Sequence, residues 1–193
     1  SALLAGTQYL CFADYIIFEG NNTYNINSCD IIEVFYNIRT DLDKLECAAN
    51  ITKIVQDVAT ENENNYKLLQ LLLNTLYMIS ETDMNIDLIT SIFKMRVTSI
   101  IGFTPQINKC VNCGKNENIT HFSIRDNGFK CENCSKQDTG AISMSAGTRD
   151  AIKYTIMAPP KKIFGFNITD ECIKEFKLIS KIYLNEKLEK EFK

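Results

Sequence analysis

No stretch of this chain is apolar for the roughly 18 residues that a membrane-crossing helix needs, so no transmembrane helix is expected. Ser1-Ala-Leu-Leu-Ala has neither the charged lead nor the long apolar core of a signal peptide, and no Met starts the chain. The segment is therefore expected to begin inside a longer protein. Internal repeats and low-complexity tracts are absent. There is no Gly-rich phosphate loop, which leaves no signature of a phosphate-cradling NTPase. Histidine occurs once in 193 residues. A Ser-His-Asp relay would have to run through His121, and no nucleophile signature accompanies it. The sequence offers no catalytic constellation, and His121 reads as a packing or surface residue.

What the chain does have is cysteine, eight in all. Four of them form two close pairs, Cys110-Val-Asn-Cys113 and Cys131-Glu-Asn-Cys134, with 17 residues between. That spacing fits a four-thiolate metal site. Each C-x-x-C turn supplies two adjacent ligands, and a hairpin brings the second pair back to the first. Gly114 follows the first pair, where a tight turn uses positive φ. Phe122, Ile124 and Phe129 alternate with polar residues around Asp126-Asn127-Gly128, the pattern of a hairpin with an Asn-Gly turn. Four thiolates fill a tetrahedron and leave no position for water, so a structural Zn2+ is the expected cofactor. Two disulfides, four free thiols or a redox C-x-x-C are the competing readings. Cys11, Cys29, Cys47 and Cys172 lie apart in apolar or helical contexts and read as buried thiols, which together with a metal-type quartet points to a reducing cytoplasm.

The net charge of −3 does not announce a nucleic-acid partner, but its distribution is uneven. Residues 1–100 carry 6 basic and 13 acidic side chains, and residues 101–193 carry 15 and 11. The basic surplus lies in and after the cysteine module.

Patterning divides the chain into four parts. Residues 8–36 are rich in aromatic and β-branched residues and read as three strands, with Gly20-Asn21-Asn22 as a turn. Thr40 opens a first helix with Asp43 as its capping-box partner, and Leu42, Leu45, Cys47, Ala48, Ile51, Val55 and Val58 form its stripe. Tyr66 to Ile79 is dense in leucine and is expected to be a central, buried helix. A third helix over 86–101 turns Leu88, Ile89, Ile92, Phe93, Val97 and Ile100 inward, and Gly102 and Pro105 end it. Beyond the cysteines, Ser143 or Ser145 caps a helix that Pro159-Pro160 stops. Thr169 caps the last helix, with Ile173, Phe176, Ile179, Ile182 and Tyr183 on its apolar face and Lys174, Lys177, Lys181 and Lys187 opposite.

This order, with the residues at its joints, resembles the RecO family of bacterial DNA-repair proteins. Ser1-Ala-Leu-Leu-Ala-Gly, Arg39-Thr-Asp-Leu, Phe93-Lys-Met-Arg96, Gly102-Phe-Thr-Pro105, Cys110-Val-Asn-Cys113-Gly114 and Phe129-Lys-Cys131-Glu-Asn-Cys134 carry the resemblance, which covers nearly the whole chain. It implies an α+β, multi-module fold. Residues 1–38 would be the C-terminal part of an oligonucleotide-binding (OB) antiparallel barrel and 39–105 a helical bundle. Residues 106–140 would be a four-cysteine zinc finger and 141–193 helices packed on the bundle. The implied function is non-enzymatic. Such proteins bind single- and double-stranded DNA, anneal strands, contact the C-terminal tail of single-strand-binding protein, and with RecR help load RecA on gapped DNA. They act in the bacterial cytoplasm at the nucleoid. The cations expected to face DNA are Lys109, Lys115, Arg125, Lys130 and Lys136 on the finger, and Lys161 and Lys162 beyond it. Arg96 suits a structural ion pair or a partner contact. The alternative functions are a zinc-braced interaction scaffold with no DNA binding of its own and, less well supported, an enzyme domain using the metal or a C-x-x-C pair.

Overall fold

The computed structural model describes residues 2–61 and 63–192. It opens with a short helix, α1 (Ala2–Gly6), and a long antiparallel hairpin, β1 (Cys11–Glu19) and β2 (Tyr24–Val34). Where three strands were expected there are two. Asp30 does not break the second strand; it stays paired with Asp14, and bulges in β2, at Ile32 opposite Phe12 and Ala13 and at Asn27 opposite Ile16 and Ile17, absorb the mismatch in register. Only Ala13 and Cys29 of the hairpin are buried. Ile16, Ile17 and Phe18 follow one another and are all exposed, so both faces of the ribbon present apolar side chains. Among the described residues these strands close no barrel.

Arg39, at the end of the one-turn helix α2 (Tyr36–Arg39), ties the hairpin to the helices by donating to Gln8 Oε1 at 2.7 Å and to the Tyr9 carbonyl. Helix α3 (Leu42–Val58) starts one residue later than the pattern suggested. Asp41, not Thr40, accepts the Lys44 N–H at 3.0 Å as the N-cap. The inward face of α3 is Cys47, Ala48, Ile51 and Ile54, while Leu42 in the first turn is exposed.

Helix α4 (Tyr66–Glu81) is not the buried centre of the bundle. It buries Leu68, Leu71, Leu76 and Ile79 and leaves Tyr66, Leu69 and Tyr77 to solvent. The centre is α5 (Ile86–Ile100), which is touched by α3, α4, α7 (Ala146–Met157) and α8 (Asp170–Leu188). It is enclosed so fully that Ser91, Lys94 and Thr98 are buried beside Leu88, Ile89, Ile92, Phe93, Met95 and Val97. Ser91 and Thr98 satisfy their hydroxyls on carbonyls of their own helix, Asp87 at 2.6 Å and Met95 at 2.8 Å. Gly102, at φ +98°, follows the helix end at a value that favours glycine.

The C-terminal helices close over this centre. Ser145 caps α7, and its neighbour Glu175 on α8 accepts from the Ser145 N–H and hydroxyl, each at 2.8 Å. Arg96 of α5 donates to the Thr155 and Ile156 carbonyls, satisfying the last turn of α7. It is therefore a helix-end donor to backbone oxygens, not part of an ion pair. Thr169 caps α8, whose buried face is Ile173, Phe176, Ile179, Tyr183 and Leu184; Ile182 lies outside it, exposed. The finger joins the same continuous core through a sheet of order β4-β3-β5, made of β3 (Ile119–Ser123), β4 (Gly128–Cys131) and β5 (Ile142–Ser143). Phe122 stacks edge-on against Tyr183 at 5.2 Å, and the Tyr183 hydroxyl donates to the Phe103 carbonyl at 2.9 Å.

Phe93 has no exposed surface at the meeting point of these helices. Phe93→Ala is expected to cost about 3–5 kcal/mol in urea unfolding, whereas Leu42→Ala, at an exposed site, should change it by less than about 0.5 kcal/mol.

Candidate metal centre

Two short turns and one hairpin bring the cysteines together. The Cys110 N–H donates to the Lys115 carbonyl at 2.7 Å and the Gly114 N–H to the Cys110 carbonyl at 3.0 Å. This folds 110–115 back on itself, with Gly114 at φ +74°. The chain before it runs along β4. Gln106 exchanges hydrogen bonds with Asn127 and Phe129, and the Val111 N–H donates to the Phe129 carbonyl at 2.9 Å. Gly128 is needed here for space rather than for its φ, because a Cβ would stand 2.4 Å from the Gln106 oxygen. The left-handed residue of the turn is Asn127, and four residues, 124–127, separate the Ser123–Gly128 pair. A two-residue Asn-Gly turn had been expected.

Cys131 leaves β4 and Cys134 follows on the one-turn helix α6 (Glu132–Ser135). All four sulfurs lie within 4.8 Å of one another, and Cys113 Sγ stands 3.8 Å from Cys131 Sγ. A tetrahedron with metal–sulfur bonds of about 2.3 Å has an edge of about 3.8 Å, so the donors fit one ion. Cys110 and Cys131 are buried, Cys134 is half-buried and Cys113 is exposed. His121 stays out of the cluster; its Nδ1 sits 2.8 Å from its neighbour Thr120 Oγ1.

The electrostatics of the quartet also suit a cation. Burial opposes ionisation of Cys110, but the N–H groups of Cys113, Cys131 and Asn112 outweigh it and bring the thiol down to about 6. Hydrogen bonding to Cys131, then burial and the other two thiols, pushes Cys134 up to about 12. Without a cation the cluster favours the Cys110 thiolate and opposes that of Cys134. A divalent ion relieves that repulsion and lets all four ionise. The remaining cysteines, Cys11, Cys29, Cys47 and Cys172, form no disulfide and lie outside the cluster.

Beside the sulfurs lies a charged cluster that the sequence did not signal. Lys130, expected on the surface facing DNA, is 1% exposed. Its ammonium is paired with Asp138 at 2.7 Å and with Asp126. Desolvation works against the charge, and the two carboxylates more than offset it, so Lys130 titrates above its ordinary range. Asp138, itself buried, also accepts from Ser123 Oγ at 2.6 Å and from the Gly140 N–H at 3.3 Å. Lys130 therefore clasps β4 to the 136–140 loop and is withdrawn from solvent. A strand residue paired with an acid eight positions on carries no periodic signature, which is why the pattern placed it outside. Arg125 is exposed and leans on Asp126 at 3.2 Å. Lys109, Lys115, Lys136, Lys161 and Lys162 are exposed. Lys161 and Lys162 sit on a 3-10 turn, Pro160–Lys162, after α7.

Comparison with known proteins gives one family. The family model described as "Recombination protein O C terminal" matches residues 39–193. A "DNA repair protein RecO" from Acetivibrio thermocellus is 39% identical over 193 residues, all of this chain and 77% of that protein. Proteins of the same name from Thermoanaerobacter sp. and Alkaliphilus metalliredigens are 32% and 28% identical, covering 94% and 95% of this chain and 73% and 75% of theirs.

Replacing Cys110 and Cys131 together by Ser is expected to abolish metal retention, read by elemental analysis, and to make residues 106–140 protease-sensitive; unchanged resistance in that segment would count against the cluster as the brace. The clasp sets an acid limit. Lys130, then Ser123, holds Asp138 at about 2 against an ordinary value of 3.8. Because the folded value is the lower one, the Asp138 contribution is complete above pH 3.8 and is lost as the pH falls toward 2. Asp138→Asn should abolish this component, detected as faster amide exchange at Phe122 and Phe129 in the variant at neutral pH.

Proposed function

Since this chain belongs to the RecO family of DNA repair proteins, we propose that it is a non-enzymatic recombination mediator that binds and anneals DNA and, with RecR, helps load RecA on gapped strands. The match across the helical, finger and C-terminal segments is the observation that carries this reading. The metal is proposed to be Zn2+. Four sulfur donors with no fifth ligand type are the set that zinc takes in structural sites, and they favour a brace over a catalytic centre with an open position. The modules are proposed as residues 1–38, the closing part of an OB barrel; 39–105, a helical domain; 106–140, the finger; and 141–193, helices packed on that domain. The hairpin's apolar residues on both faces support the first assignment, since further strands and a ligand groove would cover them.

DNA contact is proposed at Lys109, Lys115, Arg125 and Lys136 on the finger and at Lys161 and Lys162 beyond it. Lys130 is left out because its charge is already neutralised inside. Exposed cations of this kind contribute by releasing counterions from phosphates, so binding falls steeply with salt. The tail of single-strand-binding protein is proposed to dock in a cleft of about 440 Å3 between α4, α5 and the Pro160 turn. Its walls include Leu71, Ile100, Ile156 and Ile163, and its charged residues are Lys67 and Arg96, with no acid among them. Arg96 is occupied by the end of α7, which leaves Lys67 to meet a peptide carboxylate. No helix among the described residues is long and apolar enough to cross a membrane, and a cytoplasmic, nucleoid-associated site of action is part of the proposal.

A second reading is a zinc-braced interaction scaffold without DNA binding of its own. The 13 acidic against 6 basic residues of 1–100 favour it.

Strand annealing by the full-length protein, with and without single-strand-binding protein on the DNA, separates the two. Annealing is expected in both conditions. Reversing Lys109 and Lys136 to Glu should weaken DNA binding most at low salt and reduce the magnitude of the salt slope by about 1–2. A full-length protein that neither anneals nor is retained on single strands would establish the scaffold reading instead.

A further inference from the structure

The four cysteines of the finger are not equally placed. Cys110 and Cys131 are buried, at 1% and 6% exposure, and Cys134 is half-buried. Cys113 alone among them is exposed. Residues 112–118 are all exposed with it, where the chain folds back on itself beyond Cys110. At the adjacent Gly114 a Cβ would meet open space, so nothing packs against the turn there. The Cys131 sulfur lies 3.8 Å from that of Cys113 and belongs to the opposite half of the finger, at the end of β4. Small side-chain rotations close that gap to the roughly 2.05 Å of a bonded pair. The cluster therefore joins one sulfur-bearing residue at the surface to a buried partner within bonding reach.

We propose that Cys113 is an oxidative modification site at which peroxides enter the cluster, and that Cys131 resolves it to a disulfide. The inference rests on the four-thiolate brace argued above. The Cys113 sulfur, ionised as a metal ligand, attacks one peroxide oxygen. An S–O bond forms, the O–O bond breaks, and the departing hydroxide takes a proton to become water. The Cys131 sulfur then attacks the sulfur of the Cys113 sulfenic acid. An S–S bond forms, the S–O bond breaks, and a second hydroxide leaves and is protonated. The two sulfurs lose two electrons and the peroxide gains them. Only Cys110 and Cys134 are left as thiol ligands, too few for a closed tetrahedral site, and the metal is released. The new bond joins the first turn to β4 where the Val111 N–H already donates to the Phe129 carbonyl at 2.9 Å. The finger thus keeps a covalent tie at this end when the cation goes. A disulfide made and reduced in this way suits a reducing compartment, where such bonds are transient and redox-sensing.

The test is hydrogen peroxide added in small molar excess to the full-length, metal-loaded protein. Metal release is followed with a chromogenic chelator, and cysteine pairing is mapped by mass spectrometry of alkylated, unreduced peptides. Metal is expected to leave in step with a Cys113–Cys131 linkage, and dithiothreitol with Zn2+ should reverse both. Cys113→His keeps a fourth ligand of a kind that structural sites use, and it should release metal about tenfold more slowly under peroxide. Where that variant takes up no metal, the wild-type map decides by itself. Linkage within a turn, Cys110–Cys113 or Cys131–Cys134, oxidation that begins at Cys134, or metal retained through the treatment would overturn the assignment and leave the brace standing. A full-length protein that holds no metal as isolated would instead count against the brace, and its peroxide-induced linkage would still decide the pairing.

Discussion

Four sulfur atoms within 4.8 Å of one another are the constraint on which the C-terminal half depends. The finger has little apolar material of its own. Its inward side chains are Ile107, Ile119, Phe122 and Phe129, and its strands are five and four residues long. Strands that short do not hold a hairpin in water without further support. A bound cation would supply that support at one end, and Phe122 against Tyr183 supplies it at the other. The finger is thereby an extension of the core that α8 shares with α5, and the segments on either side of it are held at fixed separation.

Charge is used in two ways in this protein. Inside the finger, Lys130 and Asp138 form a buried clasp that ties β4 to the following loop. A buried pair of this kind adds little net stability compared with an apolar packing, but it is costly to break, so it selects one arrangement of the loop. Outside, Lys109, Lys115 and Lys136 of the finger and Lys161 and Lys162 of the Pro160–Lys162 turn are exposed to solvent. The acidic surplus of residues 1–100 lies on the other side of this division, which is why the DNA reading of the RecO family falls on the C-terminal half of this segment.

The caps show how local the legible signals were. Ser145 and Thr169 hold their helices as the pattern anticipated, because an N-cap depends on three or four consecutive residues. Asp41 displaced Thr40 by a single position on the same logic. The ranking of the helices was misread for a reason of a different kind. The leucine density of α4 suggested the centre, yet that place belongs to α5, whose Ser91, Lys94 and Thr98 look like solvent-facing residues in the sequence. Which helix is central is decided by how many neighbours surround it. Those neighbours, α7 and α8, come from beyond the finger.

The spacing of Cys110, Cys113, Cys131 and Cys134 determined the metal-type cluster by itself, since two tight turns and a hairpin between them are short-range geometry. Helix boundaries and the family resemblance were likewise written in contiguous residues. Tertiary structure alone decided that Lys130 turns inward, that Arg96 closes the end of α7, and that Lys94 of α5 is buried. The physical reason is that a charge is placed by partners distant in the chain and by the low dielectric of the packed interior, neither of which a linear pattern records.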